Sequence, residues 1–259
     1  MQFITLTTDF GLIDPYVGIM KGVISNIYPY AKVVDISHSI SPQNILHANW
    51  VLGRSYHYFP KGTIHVCITD PGVGSTRKAV LIETKNYIFI GPDNGSFTLA
   101  LEKEEIISAI ELTEKKYWLP HNTSRTFHGR DIFSPIAAHV AKGEKLTEFG
   151  VPINKDELTK SEISSAIVNG KNCIGQIQYI DHFGNLITNI NENLLPEKIH
   201  GKMKGIDFKG LQSSYAESEP GKLCGIIGSH GYLELFIYKG NAAKLISAKV
   251  GDKIEVKLT

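Results

Sequence analysis

Apolar residues in the first 140 positions follow two spacings in turn. Short, nearly continuous runs at Phe3 to Leu6, Lys32 to Ile36, Thr63 to Ile68 and Tyr87 to Ile90 read as strands. The run Thr63 to Ile68 is β-branched or apolar at nearly every position, as expected of a strand buried on both faces of a parallel sheet. Between the runs, apolar residues recur at helical spacing: Val17, Met20, Ile24 and Ile27 before Pro29, then Ile45, Ala48, Leu52 and Tyr56 before Pro60. Asp14-Pro15 and Ser41-Pro42 supply the matching start signals. This βαβαβ order predicts a parallel sheet with right-handed crossovers. Ala79 to Thr84 and Tyr87 to Ile90, separated by Lys85-Asn86, add a hairpin to it. Phe127-His128-Gly129-Arg130-Asp131 is expected to open a further helix, with Ile132, Ile136, Ala137 and Val140 on its apolar side and Pro135 in or near its first turn.

From Lys142 to Gly170 the chain turns polar, charged and weakly periodic, which marks a domain boundary. Beyond it the pattern is short strands: Cys173 to Ile180, Asn185 to Ile190, Leu223 to Ile227, Tyr232 to Tyr238 and Lys253 to Leu258, separated by glycine-bearing turns. The expected fold is therefore an α/β N-terminal domain with a largely parallel sheet, residues 1–160, plus a small all-β barrel C-terminal domain, residues 168–259.

Composition narrows the function classes. With 42% hydrophobic and 20% charged residues among 259, the chain is an ordinary globular one. The 27 basic and 26 acidic residues nearly cancel, so no net field draws in nucleic acid or anionic lipid. No apolar run approaches the roughly 18 residues that span a bilayer, and the first residues lead into a strand without a charged start and cleavage site. A cytoplasmic protein is expected. Cys67, Cys173 and Cys224 are odd in number and far apart, which fits buried free thiols better than a disulfide framework or a zinc pair.

Candidate chemistry collects where strands end. Thr8-Asp9-Phe10-Gly11, Asp70-Pro71-Gly72-Val73-Gly74 and Gly91-Pro92-Asp93-Asn94-Gly95 each follow a strand, and ligands in open α/β sheets gather beyond the carboxyl ends of strands. Asp70, Arg77 and His128 converge if their two loops share a sheet edge. An Arg beside an Asp favours the ionised carboxylate and orients it, and such a set positions and polarises a water. The same residues also describe an ion pair fixing a loop, with His128 capping or packing, and the residues alone leave both readings open. Asp9, Asp14, Asp35, His38, His47, Asp70, His128 and Asp131 are numerous but lack metal-ligand spacing, so no metal is expected. No Gly-x-Ser-x-Gly elbow, phosphate loop or dinucleotide fingerprint is present. In the second half, Asp181-His182-Phe183-Gly184-Asn185 and Gly228-Ser229-His230-Gly231-Tyr232-Leu233-Glu234 join strands; each is a turn that also offers groups suited to a purine and an amino-acid head.

Taken in order and spacing, Thr8-Asp9-Phe10-Gly11, Asp70-Pro71-Gly72-Val73-Gly74, Pro92-Asp93-Asn94-Gly95, Phe127-His128-Gly129-Arg130-Asp131, Phe183-Gly184-Asn185 and Gly231-Tyr232-Leu233-Glu234 resemble the S-adenosylmethionine (SAM) hydroxide adenosyltransferases. This family, also called SAM hydrolases, is related to the 5′-fluorinases and chlorinases. The resemblance runs from Thr5 to about Ala243. It implies attack of water-derived hydroxide on ribose C5′, giving adenosine and methionine, with SAM as substrate and no cofactor or metal. It also implies a homotrimer whose sites lie between one subunit's N-domain and its neighbour's C-domain. Asp70, Arg77 and His128 match the family's water-handling set, and Asp9 matches an acid holding the ribose. Asn185, Ser229, Glu234 and Ala242, the last through its backbone, match positions lining the adenosine pocket, beside Phe183 of the same motif. Asp14 and Asp181 match pocket positions of the halogenases.

The chain departs from the halogenase branch. Asp70 stands where those motifs carry a Tyr, and His128-Gly129 where they carry Tyr-Ser; an anionic carboxylate repels halide, so the pocket suits water. His230 replaces an Arg, which leaves the holding of the methionine carboxylate open. Two other readings stand beside SAM hydrolysis: a non-catalytic adenosine or SAM binding protein, and a metal-dependent hydrolase of another nucleoside.

Overall fold

The structure, a computed structural model, describes residues 2–120, 123–162 and 165–258. The chain divides into two compact units, Met1–Ser161 and Glu162–Thr259.

The first unit contains β1 (Phe3–Thr8), α1 (Tyr16–Ile27), β2 (Lys32–Ser37), α2 (Ile45–Ser55), β3 (Ile64–Ile68), β4 (Ala79–Thr84), β5 (Ile88–Pro92), α3 (Thr98–Leu101), β6 (Ile106–Glu111), α4 (Ser134–Lys142) and β7 (Val151–Pro152). Among the described residues they form a seven-stranded sheet in the order β2-β1-β3-β5-β4-β6-β7. The first four strands are parallel, but β4, β6 and β7 are added antiparallel, so the sheet is mixed rather than largely parallel. β6 and β7 were not anticipated; β6 is an apolar run that adds to the free side of the hairpin, and β7 is only two residues long. Every residue of β3 is buried, and its alternation splits it between two cores. Ile64, Val66 and Ile68 face α1 and α4, while Cys67 faces α2 and α3.

Helix starts differ in detail from the sequence signals. Asp14 is exposed and does not cap α1; Pro15, with φ −76°, opens the helix by accepting from Ile19 N–H. Ser41 does not cap α2, because Gln43 takes a left-handed φ of 63° and the chain restarts at Asn44, whose side chain accepts from His47 N–H at 2.9 Å. Before α4, residues Gly129–Phe133 form a π-turn. Pro135, in the first turn of α4, has no N–H to offer the Asp131 carbonyl, which accepts from Leu119 N–H at 2.9 Å instead. The polar stretch after Lys142 begins as part of this unit: Leu158 is buried, and Ser161 bonds Thr98 and Gly95.

The second unit comprises β8 (Ile167–Asn169), β9 (Asn172–Ile180), β10 (Leu186–Asn191), β11 (Ile199–Met203), β12 (Ile206–Lys209), β13 (Leu211–Gln212), β14 (Leu223–Ile227), β15 (Tyr232–Ile237), α5 (Ala242–Leu245) and β16 (Lys253–Leu258). Its sheet runs β12-β11-β16-β9-β10-β15-β14-β13, with β8 on β9, and every pairing is antiparallel except β13 with β14. The sheet curls round a core that includes Ile177, Leu186, Leu235 and Val256, bringing β12 against β14 as a half-barrel. The expected barrel is thus met in coarser form. Cys67 and Cys173 are buried and Cys224 only half-buried; all three are free.

Candidate active site

β1 and β3 are neighbouring parallel strands, so their C-terminal turns emerge side by side and bring Asp9 and Asp70 to one edge. The loop before α4 adds His128. Together with Phe10, Gln43 and Phe127 these residues line a cavity of about 380 Å³. The turn carrying Asp70 is tight: Val73 N–H donates to the Asp70 carbonyl and Ser75 N–H to that of Gly72. Gly74 has φ 74°, and a Cβ there would run into the Arg125 carbonyl, so only glycine lets this turn lie against the loop carrying His128.

One arginine joins the group. Arg77 Nε donates to both Asp70 oxygens at 3.0 Å, and Nη2 donates to Oδ2 at 2.5 Å and to His128 Nδ1 at 2.8 Å. The Arg77 and Asp70 side chains are only 12% and 6% exposed, so solvent screens the pair weakly. The guanidinium lies over the ring of Phe133, 5.5 Å from its centroid. Desolvation and, next, the Arg77 charge lower the His128 pKa below its usual value, leaving a neutral ring whose Nδ1 accepts. Asp131, 2% exposed, anchors the same loop by accepting from Ser124 N–H and from Arg130. Asp9 accepts from Gln43 N–H at 2.8 Å.

Asp14 sits on the exposed β1–α1 loop and does not line this cavity. The third acidic turn serves from behind: Asn94 donates to the Thr69 carbonyl, and Asp93 accepts from Thr159 N–H. Phe10, Tyr16 and Phe127 meet edge to face at 5.3–5.9 Å and wall the cavity, a cluster that sequence spacing did not reveal.

In the second unit, Asp181, Phe183 and Asn185 line a separate cavity of about 510 Å³ with Tyr215 and Phe236. Asn185 is clamped to Asp181 through its N–H at 2.8 Å and its side-chain amide at 3.0 Å. Phe183 is 71% exposed, an aromatic face offered to solvent. Glu234 is buried and does not line the cavity, but it accepts from the Tyr215 hydroxyl at 2.8 Å and lies 3.2 Å from His230 Nε2. Partial burial and this bond push the Tyr215 hydroxyl pKa up. Ser229 is exposed in the turn closed by Gly231 N–H on the Gly228 carbonyl, and Ala242 is fully buried at the start of α5; neither lines this cavity. Among the described residues no group of three His, Cys, Asp or Glu side chains has metal-binding geometry.

Family models for the N-terminal and C-terminal domains of SAM hydroxide adenosyltransferase match residues 4–150 and 175–255. The chain belongs to the SAM hydroxide adenosyltransferase family. The resemblance read from the six linked motifs is therefore borne out. This family member is 38% identical to an (R)-S-adenosyl-L-methionine hydrolase of Methanocaldococcus jannaschii, over 99% of this chain and 96% of the relative. It is 32% identical to a protein of the same name from Thermus thermophilus, over 99% and 100%. The crystal structure of an uncharacterised conserved protein from Thermotoga maritima superposes with a TM-score of 0.90 at 32% identity, covering 99% of this chain and all of that one. Within this family member, Tyr215 is the polar group that sequence reasoning missed: it lies in a weakly patterned stretch, and only its bond to Glu234 draws attention to it.

Proposed function

We propose that this chain hydrolyses SAM by attack of water on ribose C5′, giving adenosine and L-methionine. The observation that carries the reading is the Asp70–Arg77–His128 network on the wall of the first unit's cavity. Arg77 fixes the carboxylate plane yet leaves lone pairs of Asp70 free, so Asp70 accepts a hydrogen bond from the attacking water and aims its oxygen. As the new C5′–O bond forms, the C5′–S bond breaks and its electrons return to sulfur. Methionine leaves as a neutral thioether, so the leaving group needs no acid. The proton of the water passes to Asp70 and then to solvent. His128, neutral, accepts the second hydrogen of Arg77 Nη2 and keeps the guanidinium in plane. In this reading Asp9 holds the ribose, and Asp181, Phe183, Asn185, Ser229, Glu234 and Ala242 serve adenosine, joined by Tyr215.

The reading includes a homotrimer with sites shared between subunits, cofactor-free chemistry and a cytoplasmic location. The apolar tip Leu12-Ile13 beside the Asp9 turn, 73% and 100% exposed, supports a neighbouring subunit there, and three free thiols fit a reducing compartment. No helix among the described residues is long and apolar enough to cross a membrane. The decisive experiment incubates the protein with each sulfonium epimer of SAM, with and without excess chelator, and chromatographs for adenosine. Adenosine in both chelated and unchelated samples is expected from the (R) form named for the relatives. Its absence refutes hydrolysis, and loss only in chelator refutes metal independence. Light scattering that shows an active monomer refutes the trimer.

A further inference from the structure

Asp35 and His38 belong to a relay of contacts that ends on the turn carrying Asp9. Lys21 Nζ lies 2.6 Å from Asp35 Oδ2, Asp35 Oδ1 lies 3.0 Å from His38 Nε2, and His38 Nδ1 lies 2.8 Å from Thr8 Oγ1. Thr8 Oγ1 in turn accepts from Phe10 N–H at 3.2 Å. The His38 carbonyl accepts from Gly11 N–H at 2.8 Å. His38 is 4% exposed and Thr8 not at all. The chain of contacts therefore starts at the surface and ends on both sides of Asp9.

The direction of the bonds follows from Asp35. Partial burial works against its ionised form, but the Lys21 hydrogen bond and the His38 ring beside it outweigh burial and lower the Asp35 pKa. Asp35 Oδ1 faces His38 Nε2 at 3.0 Å as a charge contact rather than an aligned hydrogen bond, and with the ring proton on Nε2, beside that carboxylate, Nδ1 is the acceptor. The Thr8 hydroxyl then donates to Nδ1, and its lone pairs are free for Phe10 N–H. On the β2 side the ladder shifts register between Leu6 and Thr7, just before the turn, while β1 stays paired with β3 as far as Thr8.

We propose that His38, oriented by Asp35, is a positioning residue for substrate binding: through Thr8 and Gly11 it sets the turn that points the Asp9 carboxylate into the cavity. The inference rests on the reading of Asp9 as a substrate-holding group. Because Asp70, Arg77 and His128 do not touch this relay, disturbing it weakens binding more than turnover.

The test measures KM and kcat for SAM and the calorimetric Kd for adenosine, with thermal unfolding as a folding control. Asn places an amide where His38 presents Nδ1 and can still meet Thr8; Gln places its amide near the Nε2 position and meets Asp35 only. His38→Gln and Thr8→Val are expected to raise KM and Kd at least about tenfold with kcat within about threefold. His38→Asn and Thr8→Ser are expected to stay within about threefold throughout. Equal behaviour of the Asn and Gln variants, or wild-type KM and Kd in folded Thr8→Val, overturns the proposal. If the His38 variants do not fold, the Thr8 pair decides. A wild-type protein that neither hydrolyses SAM nor binds adenosine refutes the functional reading itself, whereas an active wild type with unaffected variants refutes only this inference.

Discussion

Arg77→Lys is the most searching single change, because it keeps the charge and removes the geometry. Arg77 serves two partners at once: Nε and Nη2 take the Asp70 carboxylate at 2.5–3.0 Å, and the second hydrogen of Nη2 reaches His128 at 2.8 Å. A lysine ammonium is a point on a flexible stem, so it meets Asp70 or His128 but does not hold both in one plane. The lost charge-assisted bond is worth about 1.5–3 kcal/mol. If that energy is expressed when the water is aimed, kcat falls by about 10- to 150-fold at about 1.4 kcal/mol per tenfold. KM changes little, since the binding residues keep their places. Folding is also spared, because Asp70 keeps a cation beside it. Arg77→Met, by contrast, leaves a carboxylate that is 6% exposed without its partner, at a cost of about 3–5 kcal/mol. The assay is steady-state adenosine release, with unfolding monitored by circular dichroism and a double-mutant cycle with Asp70→Asn. Residues acting as a unit give strongly non-additive losses in that cycle. Wild-type kcat in Arg77→Lys, or additive effects of the two substitutions, refutes the argument.

Asp70→Asn and His128→Ala each lower kcat by at least roughly 100-fold, the range for removing a positioned polar group from the chemistry; Asp70→Asn keeps an amide oxygen for Arg77, which limits its cost in folding, and wild-type turnover in both sinks the assignment. Burial and Arg77 lower the His128 pKa, so the ring stays neutral at pH 7 and activity falls only when acid protonates Nδ1 below the ordinary histidine value; His128→Asn, which keeps an acceptor without a titrating proton, is expected to lose that acid limb in a kcat–pH profile. Run in ¹⁸O-water, the reaction places label in the 5′-hydroxyl of adenosine, and chloride gives no 5′-chloro product; unlabelled adenosine, methylthioadenosine or adenine in the mass spectrum means a different bond breaks. His65 is fully buried, stacked 5.4 Å from Phe89, with Nδ1 on Thr5 Oγ1, and burial lowers its pKa from 6.5 to about 3. Above pH 6.5 it is neutral in both folded and unfolded chains; as pH falls the unfolded chain gains this proton first, so stability drops by up to about 1.4 kcal/mol per pH unit until the folded pKa is reached. Urea unfolding between pH 6.5 and 4 checks the slope, and His65→Phe should flatten it; an unchanged slope in that variant refutes the attribution.

What the sequence determined by itself was local. Strand runs ending in acidic, glycine-bearing turns placed Asp9 and Asp70 at strand ends, and Pro135 marked the first turn of α4, because side-chain sterics and turn chemistry act within a few residues. The pairing of Asp70 with Arg77 was legible for the same reason, seven residues apart in one tight turn. Linked motifs in order and spacing carried the family. Tertiary structure decided the rest. His128 reaches Arg77 across 51 positions and His38 reaches Thr8 across 30, contacts that exist only once strands and loops have taken their places. The helix starts moved to Pro15 and Asn44 because backbone torsions at Pro15 and Gln43 overrode side-chain cap signals. The mixed sheet, the addition of β6 and β7 beyond the hairpin, and the place of Tyr215 beside Glu234 were decided there too. A strand's choice of partner is made by backbone hydrogen bonds that every residue can offer, so side-chain pattern tells which segments are strands but not which neighbours they take.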